Sequence, residues 1–156
     1  SKRRSQHVQG IKALKATGGN FAFEFPAQNI SIEAKRPDGA MDVANVNVVA
    51  VVPYIIMKTV AMGRGKAKDA YDIYFILKHY RGGVEALANE FKPVNDKELV
   101  LEMRKKLAGK FASVDHAGPK DVADFIDLED EEGTEMIKRD AYEQVQALLN
   151  YLDEDK

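Results

Sequence analysis

The sequence predicts an α+β fold in which a small antiparallel sheet of about three strands precedes a helical C-terminal half. Residues 20–52 alternate apolar with polar side chains and are interrupted by proline and glycine, which is typical of short strands joined by turns. From Pro53 onward, apolar residues recur every three to four positions, as in amphipathic helices. The length of 156 residues predicts a single domain, comprising a strand meander at 20–52, a helix pair at 53–80 and a helical subdomain at 82–152.

The composition excludes several classes of function. The 23 basic and 25 acidic residues give a net charge of −2, so no overall positive field attracts nucleic acid. Because the chain has no cysteine, it forms no disulfide or thiolate metal site, which agrees with a cytoplasmic location. The three histidines are scattered, and no apolar run approaches about 20 residues. We therefore expect neither a zinc site nor a membrane span.

Three segments are predicted as strands. The first contains Phe21 to Phe25, the second runs over 29–35, and the third over 41–52. The Arg36-Pro37-Asp38-Gly39 sequence between the last two is a strong turn signal. The preceding residues 1–15 are predicted to form a short or frayed helix with a solvated basic cluster at 2–4. No motif surrounds Glu24 or Glu33, so neither is assigned to a metal.

The helix pair carries the candidate site. The first helix, from Pro53 to Met62, is apolar except for Lys58 and Thr59, so it is predicted to be buried. A lysine in such a helix requires an anionic partner or a path to water. Residues 63–66 then break the helix and add positive charge. The second helix is predicted over 67–80.

Two aspartates lie on the apolar side of this second helix. Asp69 falls within the apolar face and Asp72 at its edge, and their three-residue spacing makes them neighbours. A carboxylate in the first turn is also favoured by the helix dipole, and Lys68 or Arg64 could simply pair with Asp69. The spacing alone is equally compatible with a functional site and with structural ion pairs.

A spaced motif runs along the helix pair and resembles that of a known family. Its residues are Lys58, Ala61, Arg64, Lys66, Lys68, Asp69, Asp72, Ile73 and Tyr74. Their spacing is similar to the signature in the second half of the abortive-infection nucleotidyltransferases of the AbiEii/AbiGii toxin type, which belong to the polymerase-beta-like superfamily. The resemblance covers about residues 20–150 and implies a partial polymerase-beta-like fold. It implies that Lys58 contacts the nucleotide triphosphate or activates the acceptor, with Asp69 as a base or as the group that orients Lys58, and Asp72 in support. It also implies that a phosphate-attracting set consists of Arg64, Lys66 and Lys68.

The sequence lacks the metal-binding motif of that family. It contains no Gly-Ser dipeptide, and its only Asp-x-Asp pair, at Asp153 and Asp155, lies in the tail rather than on a strand. We therefore expect a C-terminal part of the enzyme with little transferase activity alone. The complete enzyme would use Mg²⁺ and a nucleotide triphosphate, and neither is expected to bind this part tightly. The expected partners are the missing N-terminal half, the nucleotide substrate, tRNA and a cognate antitoxin, with no membrane.

Two other functions remain open. The chain could be a non-catalytic binding module that retains the helix pair as structure, or an RNA-binding fragment that uses the basic residues 64–68. A hydrolase reading of the nearby Ser113, Asp115 and His116 is disfavoured, because a catalytic triad needs residues that converge from separate elements. We expect Ser113 or Asp115 instead to hold its loop by bonding to the backbone. Four further helices are predicted, at 84–91, 96–108, 119–126 and 134–152, with a solvated acidic loop at 127–132.

Overall fold

The computed structural model describes residues 5–8, 11–14, 19–62 and 67–154. Contacts divide the chain into two compact units, Ser1–Tyr54 and Ile55–Lys156, which are described one at a time below. The α+β class, with antiparallel strands and a helical C-terminal half, is confirmed, and the single-domain organisation stays a prediction. None of the helices in the described ranges is both long and apolar enough to cross a membrane.

The first unit begins with a hairpin where a helix was predicted. Strand β1, Ser5–Val8, pairs antiparallel with β2, Ile11–Leu14, with Ser5 opposite Leu14. The helix prediction was wrong because it weighed the apolar spacing of this segment and neglected its hairpin signal. Only two residues separate the strands in sequence, and the second of them is glycine. The basic cluster at 2–4 lies outside the described residues.

A 3₁₀ helix replaces the predicted first strand, so the three-strand meander at 20–52 is also wrong. This helix spans Gly19–Phe23. Phe21 is buried, and its ring meets the edge of the Phe25 ring with centroids 5.2 Å apart. Residues four positions apart meet in this way on a helical turn, whereas on a strand they would stand about 13 Å apart. Burial of Phe21 against Phe25 therefore outweighs the alternating pattern.

The other two predicted strands form a second antiparallel hairpin. Strand β3, Gln28–Lys35, pairs with β4, Met41–Val48, with Gln28 opposite Val48. The turn between them follows the sequence signal: Gly39 has a φ of 88°, and the Asp38 carboxylate accepts hydrogen bonds from the Arg36 guanidinium and the backbone N–H of Ala40. The last strand ends at Val48, four residues earlier than predicted.

This hairpin carries an apolar face that the first unit leaves exposed. Ile30 stands opposite Val46 and Ile32 opposite Ala44, and every side chain of β3 is exposed. Among the described residues, β3 and β4 pair only with each other. An isolated two-stranded hairpin is marginally stable in water. Contacts beyond its own two strands would therefore stabilise this hairpin.

Six helices follow, and the second unit is built from them. Helix α6 is the longest, and it packs against α2, α3, α4 and α5. Large apolar side chains from all of α1 to α6 are fully buried, as expected from their helical spacing. The helices are α1 Val51–Ala61, α2 Ala67–His79, α3 Gly83–Phe91, α4 Glu98–Lys110, α5 Ala117–Ile126 and α6 Glu131–Glu154.

Two helix boundaries differ from the prediction, and in both cases a side chain near the boundary forms a hydrogen bond that the sequence did not predict. Helix α4 begins at Glu98 rather than at 96. The Asn95 side chain lies outside it, where its NH₂ donates to the backbone carbonyl of Leu152, 3.1 Å away, and its oxygen accepts from Arg104. The acidic loop is shorter than predicted because Asp130 caps α6 by accepting the N–H of Gly133. Carboxylates are stabilised at a helix N-terminus, which explains why the last acids of the run are helical.

Candidate functional site

Helices α1 and α2 position the candidate site. Lys58 lies in the last turn of α1, and Asp69 lies in the first turn of α2, one turn before Asp72. Ile56 in α1 and Ile73 in α2 are completely buried beside these polar residues. Because the apolar faces of both helices are anchored in the core, the charged side chains between them have little freedom to turn away.

The structure brings Lys58, Asp69 and Asp72 together. The Lys58 Nζ lies 3.0 Å from Asp69 Oδ1 and 2.6 Å from Asp72 Oδ2. The Lys58 side chain is 24 % exposed, and each aspartate side chain is 11 % exposed. The lysine therefore buries its aliphatic stem and much of its ammonium, as its place in an apolar helix required.

Lys68, on the exposed side of α2, forms a further ion pair with Asp72. Its Nζ lies 2.6 Å from Asp72 Oδ1, one helical turn along α2, and its side chain is largely exposed. Asp72 thus bridges a half-buried and an exposed ammonium, and we call Lys58, Lys68, Asp69 and Asp72 the lysine cluster. The other two residues of the predicted phosphate-attracting set, Arg64 and Lys66, lie outside the described residues.

The environment of Asp72 favours its ionised form. Burial by itself raises the pKa of this carboxyl, but hydrogen bonds from Lys58 and Lys68 and the charges of both ammoniums outweigh burial. The pKa of Asp72 is consequently lower than its ordinary value. Asp72 is therefore an anion at neutral pH, and its role here is to hold cations.

The charges of the lysine cluster cancel, since two ammoniums face two carboxylates. Both oxygens of Asp72 and one of Asp69 are engaged by lysine, so a Mg²⁺ ion does not fit between these carboxylates without breaking the pairs. Throughout the ranges 19–62 and 67–154, no group of three or more histidine, aspartate and glutamate side chains is arranged to hold a metal. The arrangement can instead present an oriented ammonium to a competing anion such as a phosphate oxygen.

Thr59 is a buried polar residue for which the sequence predicted no role. Its side chain is completely buried next to Lys58 in α1, and within the described part of the chain its hydroxyl has no hydrogen-bond partner. A buried hydroxyl without a partner destabilises the fold. The sequence signal was its place as the second polar residue in the apolar run.

A second charged group on α2 was missed altogether. The Tyr74 hydroxyl donates to Asp140 Oδ2 at 2.6 Å, Lys78 Nζ lies 2.8 Å from the same oxygen, and Gln144 donates to Oδ1. Burial raises the pKa of Tyr74 well above its ordinary value, and its bond to the Asp140 anion raises it further. Burial raises the pKa of Asp140 too, but its three donors reverse that effect and lower it. We call Tyr74, Lys78, Asp140 and Gln144 the Asp140 cluster.

The Ser113, Asp115 and His116 segment forms no triad. Ser113 Oγ lies 2.8 Å from His116 Nδ1, but Asp115 turns away to the ammonium of Lys138, 3.1 Å distant. The prediction that Asp115 or Ser113 holds the loop through backbone bonds needs correction. These side chains hold it by a contact with His116 and by an ion pair to α6, because a side-chain partner in α6 is within reach.

Neither family models nor curated proteins nor solved structures yield a match to this chain. Its candidate function is therefore argued from the residues of the lysine cluster and from the motif that contains them.

Proposed function

We propose that this chain is part of a Mg²⁺-dependent nucleotidyltransferase and supplies its phosphate-handling helix pair. The single observation that supports the proposal is the lysine cluster, in which Lys58 is half-buried between Asp69 and Asp72. A charged group withdrawn from water is costly, so the retention of Lys58 beside Asp69 and Asp72 favours a role in handling charge. The motif spacing resembles that of the AbiEii/AbiGii-type enzymes. From this resemblance we infer that the anion bound by Lys58 is a nucleotide triphosphate.

The proposed roles follow from how each side chain is held. Asp69 orients the Lys58 ammonium, which donates to a phosphate oxygen of the nucleotide or positions the acceptor hydroxyl. Asp72 supports this orientation from the other side. Lys68, which is exposed, contributes to attracting the polyphosphate. Arg64 and Lys66 belong to the same proposed set by their spacing in the motif.

The metal is proposed to be held by other residues. Because Asp69 and Asp72 are engaged by lysines, we assign the Mg²⁺ ligands of the complete enzyme to carboxylates on further strands. The exposed apolar face of the β3–β4 hairpin supports this assignment, since two strands alone are marginally stable and further strands would cover that face. Mg²⁺ would neutralise charge on the transferred phosphoryl group. The proposed acceptor is RNA, with tRNA as the first to test, and a cognate antitoxin is a further proposed partner.

The test compares this chain with the longest product of the same gene, each incubated with labelled nucleotide triphosphates and bulk tRNA. We expect transfer by the longer protein, at least about 100-fold slower in Lys58→Ala and in Asp69→Asn, because electrostatic positioning of this kind contributes on that order. Lys78→Met is the matched control, since it removes an ion-paired lysine from α2, the helix that carries Asp69, without touching the lysine cluster. Equal losses in Lys78→Met and Lys58→Ala would contradict the assigned roles.

A non-catalytic binding module is the second candidate, and the exact cancellation of charge in the lysine cluster favours it. Structural ion pairs usually balance in this way. Absence of both transfer and nucleotide binding in the longer protein would select this candidate. Salt-sensitive retention of tRNA by the present chain, weakened in Lys66→Ala, would instead select an RNA-binding fragment.

A further inference from the structure

Tyr74 is the last residue of the spaced motif, and the proposed function gives it no role. Its hydroxyl donates to Asp140 Oδ2 in α6 at 2.6 Å, across 66 positions of sequence. Lys78, one turn further along α2, places its Nζ 2.8 Å from the same oxygen. The Asp140 cluster therefore joins the helix that carries Asp69 and Asp72 to the long helix α6.

The buried face of α2 is a narrow apolar stripe with a charged cluster on each side. The residues of the stripe are Ala70, Ile73 and Leu77. At about 100° per residue, the two aspartates of the lysine cluster border this stripe on one side. Tyr74 and Lys78 border it on the other side. Polar contacts on both sides of the stripe therefore fix the orientation of α2 about its own axis.

A rotation of α2 about its axis would disturb both clusters together. A turn of the helix that separates Asp69 from Lys58 also shifts Tyr74 relative to Asp140. The apolar stripe resists a small turn only weakly, because hydrophobic burial is non-directional, whereas a hydrogen bond prefers a defined distance and angle. At the outer radius of a helix, a rotation of about 10° moves a side-chain atom by about 1 Å.

The Asp140 carboxylate is itself held in place. Gln144, one turn along α6, donates to Asp140 Oδ1, so the carboxylate is oriented from its own helix. Helix α6 packs against α2, α3, α4 and α5. Burial alone would raise the pKa of Asp140, but the bonds from Lys78, Tyr74 and Gln144 lower it below its ordinary value. Asp140 is therefore an oriented anion at neutral pH.

We propose that Asp140 is a positioning residue for the lysine cluster. By accepting from both donors of α2, it fixes the rotation of that helix and so the direction in which Asp69 holds the Lys58 ammonium. This inference rests on the proposed function, in which Lys58 donates to a phosphate oxygen. A misplacement of about 1 Å by a substitution far from the chemistry can lower a rate about 100-fold.

The first experiment is a double-mutant cycle in the present chain, measured by urea denaturation at pH 7. It compares Asp140→Ala, Lys58→Met and the double variant. If Asp140 positions the lysine cluster, part of the stability that Asp140→Ala removes is lost through the Lys58 pairs. The loss in the double variant is then smaller than the sum of the two single losses, whereas independent contributions would add.

Lys138→Met is the matched control for this cycle, because it removes an ion pair of α6 whose partners do not lie in α2. Lys138 Nζ lies 3.1 Å from Asp115 Oδ1, in the segment before α5, and it also pairs with Glu135 of α6. We expect the loss in Lys138→Met to add to that in Lys58→Met. Circular dichroism of each variant confirms that only folded protein is compared.

The second experiment measures nucleotide transfer by the longest product of the same gene. We expect Asp140→Ala to lower kcat about tenfold and to change KM for nucleotide less than about twofold, because Lys68 still attracts the polyphosphate while Lys58 is no longer aligned. Asp140→Asn, whose amide oxygen can still accept from Tyr74, should recover most of this loss. Tyr74→Phe and Lys78→Met should each be milder than the two combined, since either one leaves a donor to Asp140.

Two results would overturn the proposal. The first is additivity of Asp140→Ala and Lys58→Met in the cycle. The second is a loss of kcat in Asp140→Ala that Lys138→Met reproduces, because general destabilisation would then explain both. If the longer wild-type protein transfers no nucleotide, the proposed function fails, and the cycle alone decides whether Asp140 positions the lysine cluster.

Discussion

The lysine cluster and the Asp140 cluster both include residues of α2, and they satisfy buried charge in opposite ways. In the Asp140 cluster, one carboxylate receives bonds from Tyr74, Lys78 and Gln144. In the lysine cluster, one half-buried ammonium serves two carboxylates, Asp69 and Asp72. The first arrangement keeps its anion satisfied after the loss of any one donor. In the lysine cluster, the pairing of both aspartates depends on Lys58. Such dependence on a single cation is expected of a site whose cation also binds an incoming anion.

The largest test of this contrast is Lys58→Met. It removes the lysine that pairs with Asp69 and leaves Asp72 with Lys68 alone, so we expect the free energy of unfolding at pH 7 to fall by about 2–3 kcal/mol. The figure is below that for a fully buried pair because the lysine retains some contact with water. Urea denaturation followed by circular dichroism measures the change.

Lys78→Met is the control, because Asp140 keeps Tyr74 and Gln144 as donors. The ion pair that it removes is half exposed, so the expected loss is about 0.5–1 kcal/mol. Should both variants lose the same amount, the two clusters would be equivalent and the special status of Lys58 would disappear.

Acid should erase the deficit of Lys58→Met. The pKa of Asp72 is lowered in the folded protein, so its pairing stabilises the fold above the ordinary pKa of 3.8 and that contribution is lost as the pH falls through the lower folded value. The wild-type protein therefore loses stability below about pH 3.8, while Lys58→Met has already lost this pair. Denaturation curves from pH 7 to pH 2 should converge. Parallel curves would mean that Asp72 is not the partner that matters.

Local spacing explains how much of this contrast the sequence could predict. Lys58 and Asp69 are only eleven positions apart, so a single local motif contains both, and the family resemblance of that motif placed Asp69 at Lys58 in the prediction. Asp140 is 66 residues from Tyr74, and nothing local to either residue signals the other. The boundaries of α2 were predicted nearly to the residue for the same reason, since its periodicity is a property of one segment.

The failures in the first unit have a related cause. The alternation of apolar residues from Phe21 to Phe25 predicted a strand. The segment forms a 3₁₀ helix instead, in which Phe21 is buried. The alternating pattern by itself carries no information about which of these side chains is buried. The contact between the Tyr71 and Phe125 rings was also not predicted. Tyr71 belongs to α2, and Phe125 reaches it only through the packing of α5 on α2.

Asp140→Ala tests the other side of the comparison. It leaves the buried Tyr74 hydroxyl and the ammonium of Lys78 without their acceptor, so we expect a loss of about 2 kcal/mol. The pKa of Tyr74, now raised by its bond to the anion as well as by burial, should move back toward its ordinary value. Ultraviolet titration of tyrosinate ionisation measures that shift. An unchanged titration would show that burial alone controls Tyr74.

Tyr74→Phe removes one donor from the same cluster while keeping the ring in the core. Because Lys78 and Gln144 still serve Asp140, the expected loss is about 1 kcal/mol, the contribution of one hydrogen bond. Thermal unfolding at pH 7 measures it. A loss equal to that of Asp140→Ala would show that the donors do not substitute for one another.

Lys68→Met should have the smallest effect on stability and is the most informative variant for function. Its bond to Asp72 joins residues four apart on one helix, and because Lys68 itself is largely exposed, we expect it to contribute only about 0.3–0.5 kcal/mol. If the lysine cluster is only a structural ion-pair group, the longer protein does not bind nucleotide through it, and Lys68→Met changes neither stability nor binding appreciably. If it receives phosphates, the same variant should lower the affinity of the longer protein for nucleotide triphosphate several-fold, measured by calorimetry at low salt. A side chain that contributes little to stability and much to nucleotide affinity would therefore identify the lysine cluster as a binding site rather than a structural ion-pair group.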